Sequence, residues 1–219
     1  MKKGDKRKRR KTLKKRTEHK QIQQQARGTE PSSALHHIRH AREYPIEGCW
    51  IMQGWDEGGI AVIVIARRQP NGNIAFGNYL VDHYCLGLKD TFCNADIPPG
   101  LFYRDYLARM FHEAPPVEIS PALAHEIVHG GIEYAAQYGF RPHSDFRHSQ
   151  YILDPPDTHP RSGAVEFGKD GKPFYIQGPY DDVNAIMRQL ERTAGEGNYH
   201  FLMQIAGPPP DEWDDDLEL

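Results

Sequence analysis

The chain has 219 residues, 38% of them hydrophobic, which suits one core with tails. No run of 18 uncharged apolar residues occurs, the most apolar stretch being Ile60 to Ala66, and this excludes a membrane-spanning helix. The net charge of -3 conceals a separation: residues 1–30 hold 13 Lys and Arg against Asp5, Glu18 and Glu30, so they carry +10 and the other 189 residues carry -13.

The expected organisation is a basic disordered tail over 1–30, an α+β domain over 31–207 and an acidic tail over 208–219. The first segment has too few apolar side chains, chiefly Leu13 and Ile22, to offset the entropy of ordering it. A helix from Thr12 to Ala26 is expected only on a partner, because Lys, Arg, Gln and Glu favour helix and Thr12 suits an N-cap. Lys2, Lys3, Lys6, Arg7, Lys8, Arg9, Arg10, Lys11, Lys14, Lys15 and Arg16 form the dense part of the arm. Such a mobile cationic run releases phosphate-bound counterions on meeting an RNA or DNA backbone, which gives sequence-independent, salt-sensitive binding. The basic stretch is not followed by an apolar segment and a small-residue cleavage site, so the expected compartment is the cytoplasm, or the nucleus in a eukaryote. Cys49, Cys85 and Cys93 are odd in number and include no CxxC pair, which points to reduced thiols.

Beyond Pro31, ALHHIRHAREY predicts a short helix that Pro45 ends. Three β-rich runs follow, CWIMQGW, IAVIVIARR and IAFGNYLVDHYC, separated by the turn sequences DEGG and QPNGN. They predict a three-stranded antiparallel meander whose middle run, apolar at nearly every position, is the centre of the sheet and covered on both faces. Pro98 and Pro99 introduce a helix over GLFYRDYLARMFHE. A second helix starts with Ser120 as N-cap and Pro121 at its first position and ends at Gly139. The remainder predicts a hairpin around Asp170 and Gly171 with AVEFG and PFYIQG as strands, a helix from Asp181 to Thr193 and a strand YHFLMQIAG. The fold class expected is α+β: the N-terminal meander plus C-terminal strands in an antiparallel sheet, with about three to four helices packed on one side of it.

The second helix contains HEIVH, residues 125–129, which resembles over those five residues the His-Glu-x-x-His pattern of the zincin metalloproteases. Histidines at i and i+4 share a helix face and can meet one Zn²⁺, while the Glu beside the first can act as general base toward a metal-bound water. The resemblance implies His125 and His129 as metal ligands and Glu126 as the catalytic base. The third ligand is open: Glu191 leads by spacing, and His143, Asp145 and His148 are nearer in sequence. Glu133 lies two turns from His125, about 12 Å along the axis, too far to share one ion. The metzincin continuation is ruled out by Ile132 and Ala135. A helical projection favours a blander reading, in which His125, Glu126, His129 and Glu133 are a solvated polar face and Gly130 and Gly131 mark a close helix contact.

Weaker constellations are His83 with Cys85 and Cys93 as a thiolate and imidazole set, and His36, His37 and His40 as a surface face. No P-loop, GxGxxG or GxSxG occurs, so nucleotide and serine hydrolysis have no support. The leading expectation is a nucleic-acid-associated accessory protein, RNA in the first place, docking through the arm, with the domain available for a protein partner, no membrane and no cofactor. The alternative is a zinc-dependent hydrolase built on HEIVH.

Overall fold

The computed structural model describes residues 31–113 and 115–203. The arm residues Lys2 to Arg16, the helix expected over Thr12 to Ala26 and the acidic tail lie outside the described residues. The fold is α+β. A helix α1 (Pro31–Arg39) and a 3₁₀ turn (Ala41–Glu43) lead into four consecutive strands, β1 (Ile46–Ile51), β2 (Ile60–Arg68), β3 (Ile74–Asp82) and β4 (Gly87–Ile97). A helical segment α2 follows, running from Pro99–Leu101 through a π-helical stretch, Phe102–Leu107, to Ala108–Met110. Then come β5 (Val117–Glu118), α3 (Pro121–Gln137), the single turn α4 (Phe146–Ser149), β6 (Phe174–Ile176), α5 (Val183–Thr193) and β7 (His200–Leu202). Among the described residues no helix is long and apolar enough to cross a membrane.

The five antiparallel strands stand in the order β4-β3-β2-β1-β5, which puts β2 at the centre. The cause is the side-chain period of two: Ala61, Ile63 and Ile65 point into one core and Val64 and Ala66 into another. Each such branched side chain stabilises the fold by about 1.5–3 kcal/mol when fully buried. The helices therefore occupy both faces, not one side as expected. Ile127 and Val128 of α3 pack with the first set, and Phe102 and Tyr106 of α2 pack with the second, Tyr106 lying 4.2 Å from the Phe76 ring centroid.

Ser120 caps α3, its hydroxyl accepting the Leu123 N–H, and Gly139 leaves the helix at φ +78°. The close helix contact expected at the glycine pair is present. A Cβ on Gly131 would lie 2.7 Å from Val81 Cγ1, and one on Gly130 would lie 2.2 Å from the Phe167 ring. Two other expectations need correction. Strand β4 was absent from the predicted meander, and AVEFG is not a strand: around Asp170 and Gly171 only the bridge Lys169–Lys172 forms, while β6 pairs in parallel with β7 as a separate two-stranded sheet.

The turn from β3 to β4 is organised by Asp82, whose carboxylate accepts the N–H groups of Tyr84 and Cys85 at 3.1 and 2.9 Å. Burial pushes its pKa up to about 6, against the pull of Lys89 and of those amides. A carboxyl whose folded pKa exceeds its unfolded value of 3.8 adds stability in full below 3.8 and loses it as pH rises through 6. Asp82→Asn keeps the accepting oxygen and removes the charge. It should stabilise the chain relative to wild type by on the order of 2 kcal/mol at pH 7.5, with the advantage shrinking at pH 4.5, as measured by denaturant unfolding at the two pH values.

Candidate functional site

HEIVH is not a solvated face. His125, Glu126 and His129 are 3%, 4% and 7% exposed, covered by a strap over residues 150–167 that crosses the helix between α4 and β6. The strap forms no ladder of its own. Its backbone polar groups need partners once removed from water, and the motif supplies several of them.

His125 is clasped at both ring nitrogens. Nδ1 lies 2.6 Å from the Pro121 carbonyl oxygen, one turn back, and donates to it, so Nε2 carries the lone pair that accepts the Asp154 N–H at 2.7 Å. This neutral tautomer matches the pKa, brought down to about 4 chiefly by burial. Glu126 receives the next part of the strap: its carboxylate accepts Ser162 N–H at 2.9 Å, Ser162 O–H at 2.7 Å and Gly163 N–H at 2.9 Å. Burial raises this carboxyl, but the donors outweigh it and hold the pKa below the usual value. Glu133 binds Arg161 at the same strap. From the sheet, His83 brings Nδ1 to 3.0 Å from the Glu166 carbonyl oxygen and Nε2 to 3.2 Å from that of Trp55.

The strap's first bend is set by Arg67, a β2 residue only 2% exposed. Its guanidinium donates to the carbonyls of Ile152 and Tyr44 at 2.7 and 2.8 Å and to Asp154 Oδ1 at 2.5 Å. Arg42 adds bonds to the carbonyls of Leu153 and Gln150 at 2.8 and 3.0 Å. Asp154 Oδ2 then faces His159, whose Nε2 lies 2.9 Å away, and His125 Nε2 lies 3.8 Å from the same oxygen. The His125 and His159 ring centroids are 4.5 Å apart. Attraction to His159 and Arg67 outweighs burial and keeps the Asp154 carboxyl below its ordinary pKa.

The structure thus brings His125 together with Asp154 and His159, neither of which the sequence reading singled out. His129 stands one turn along α3, its ring centroid 6.0 Å from that of His125, and its buried Nε2 has no hydrogen-bond partner. Burial lowers its pKa. Among the described residues none of the third-ligand candidates Glu191, His143, Asp145 and His148 joins the close-set group of His125, Asp154 and His159. Glu191 sits on α5, whose Gln189 and Thr193 hold the Tyr138 carbonyl at the opposite end of α3, and His143 faces Asp90 with Nε2 3.9 Å from Oδ1. Cys85 is buried with Tyr175 and Leu190, away from the strap, and its thiol is pushed up by burial, while Cys49 is pushed up to about 12. These are environments of inert thiols. His36 on α1 and His40 just beyond its end have ring centroids 4.4 Å apart and are exposed as expected.

If His125 and Glu126 anchor the strap, Glu126→Ala leaves two backbone donors and a hydroxyl without their acceptor, and His125→Ala orphans the Asp154 N–H. Each should cost about 1–3 kcal/mol in denaturant unfolding and speed proteolysis within 154–163, whereas Glu133→Ala, at an exposed pair, should stay within about 0.5 kcal/mol. Costs as small as the Glu133 control for both buried residues would remove the anchoring role. Comparison of the chain with known protein families, with curated proteins and with solved structures finds no match to any of them.

Proposed function

We propose that this protein associates with nucleic acid, RNA in the first place, through the basic segment at its N-terminus, with the α+β domain serving a protein contact or a separate activity. The carrying observation is the charge separation, 13 Lys and Arg against three acidic residues in 1–30, beside a remainder of -13. The domain supports the division by how its own cations are used. Arg67 is committed to Asp154, Arg68 to Glu47, Lys89 to Asp181 and Arg161 to Glu133, and Arg42 to strap carbonyls. Cations engaged within the fold contribute little to a phosphate-binding surface, and these five are among 14 Lys and Arg set against 27 acidic residues outside the arm, so the affinity is assigned to the dense run Lys2, Lys3, Lys6, Arg7, Lys8, Arg9, Arg10, Lys11, Lys14, Lys15 and Arg16.

The second reading is a zinc-dependent hydrolase on HEIVH. One observation favours it, the convergence of His125 with a carboxylate and a further imidazole. The base assigned to Glu126 has less support, because its oxygens already accept three hydrogen bonds from the strap.

The test of the first reading is removal of residues 1–28. The full chain should bind generic RNA or DNA in fluorescence anisotropy, losing about a thousandfold or more in affinity between 50 and 200 mM salt if six or more phosphates are contacted. The truncated chain should lose this binding while its thermal unfolding stays within a few degrees of wild type. Salt-insensitive binding that survives the truncation would place the site in the domain and sink the proposal.

A further inference from the structure

We infer that the strap and α3 build a binding site for a divalent first-row transition ion, with His125 Nε2, Asp154 Oδ2 and His159 Nε2 as its ligands. The inference rests on the metal half of the second reading, with a different ligand set, and does not depend on the arm. The three ligand atoms lie within 4.8 Å of one another. Ligands at about 2.0–2.2 Å around a tetrahedral ion stand roughly 3.4 Å apart. The observed separations of 2.9 Å and 3.8 Å from Asp154 Oδ2 to the two imidazoles bracket that value, so closure on an ion needs shifts of an ångström or so.

The supporting groups are those a metal centre requires. Nδ1 of His125 donates to the Pro121 carbonyl, which fixes the tautomer with its lone pair on Nε2 and orients the ring. Arg67 holds the other oxygen of Asp154, leaving Oδ2 to the imidazoles. His159 is the adjustable ligand. It is partly exposed, so its proton can move from Nε2 to the solvent side without opening the core. Ion binding exchanges one contact: the metal takes the Nε2 lone pair that accepts the Asp154 N–H at 2.7 Å, and that amide then needs another acceptor, a cost set against the metal–ligand bonds. Two imidazoles and one carboxylate select a transition ion over Mg²⁺ or Ca²⁺, which prefer oxygen ligands throughout. His129 is outside the group whose ligand atoms lie within 4.8 Å of one another, and its buried Nε2, one turn along α3 with the ring centroid 6.0 Å from that of His125, makes it the natural rival ligand.

The experiment uses the tag-free full chain, stripped of metal by chelator and titrated with Zn²⁺ by calorimetry, with Co²⁺ as a spectroscopic probe and Mg²⁺ as a control. Saturable binding of one Zn²⁺ per chain, a rise in melting temperature, a Co²⁺ visible spectrum of low coordination number and no response to Mg²⁺ are expected. His159→Gln and Asp154→Asn should each weaken Zn²⁺ binding at least tenfold, and His129→Gln and the double variant His36→Gln/His40→Gln should leave it within about threefold. His159→Gln carries the decision because its partly exposed ring can be replaced without a cavity, and unchanged circular dichroism confirms its fold. Absence of stoichiometric Zn²⁺ binding, or binding that survives His159→Gln, overturns the site. Loss in His129→Gln with retention in His159→Gln would move the ion to the HEIVH pair and equally overturn this ligand set.

Discussion

The arrangement of the strap depends on one buried cation. Arg67 lies near the end of the central strand, and because β2 is covered on both faces its guanidinium cannot reach water. Removing an ion from water costs several kcal/mol unless its donors are met by well-placed acceptors and a counter-charge. Ile152 and Tyr44 supply the carbonyls and Asp154 the charge. Meeting these bonds draws residues 152–154 against the sheet, and that placement presents the Asp154 N–H to His125 and its second carboxylate oxygen to His159.

The same demand accounts for the burial of HEIVH. A segment without a ladder of its own, packed against a helix, exposes a succession of amides and carbonyls to a low-dielectric interface, and each must find a partner. His125 and Glu126 receive three backbone N–H groups, those of Asp154, Ser162 and Gly163. A zincin-like pattern can therefore be written by packing requirements alone, since an imidazole of fixed tautomer and a carboxylate are the acceptors that amides need. What packing leaves unexplained is the approach of a second imidazole to the one carboxylate that Arg67 has already neutralised, and the orphaned nitrogen of His129.

The parts of the fold legible in the sequence are those where one local rule acts without competition. The centre of the sheet was readable because IAVIVIARR is apolar on both faces, and α3 because Ser120, Pro121 and Gly139 are strong terminal signals. Strand β4 was missed because GLKDTFCNADI carries Lys89, Asp90 and Asp96, so its buried Leu88, Thr91 and Ala95 do not stand out by alternation. The helical projection separated polar from apolar positions of α3 correctly and placed Glu133 rightly in solvent but misassigned His125, Glu126 and His129 to it, since periodicity cannot tell water from a strap brought there by contacts over more than 80 positions of sequence. Asp154 and His159 fall in LDPPDTHP, where the prolines remove any period. The one available signal was that two potential ligands stand five residues apart in a stiffened segment.

Charge has a further consequence for how the two parts of the chain relate to a polyanion. Over residues 31–203 acidic side chains outnumber basic ones, and the basic ones named above are held in ion pairs within the fold. Phosphates brought close by the arm meet a repulsive surface within about one Debye length of the domain, roughly 8 Å at physiological salt. If nucleic acid is bound as proposed, the acidic excess of the domain disfavours its close approach and competes with it for the arm. Weakening that competition with salt also weakens the phosphate contacts themselves, so the salt dependence of binding reports the difference between the two attractions and is shallower than the arm's charge alone would give.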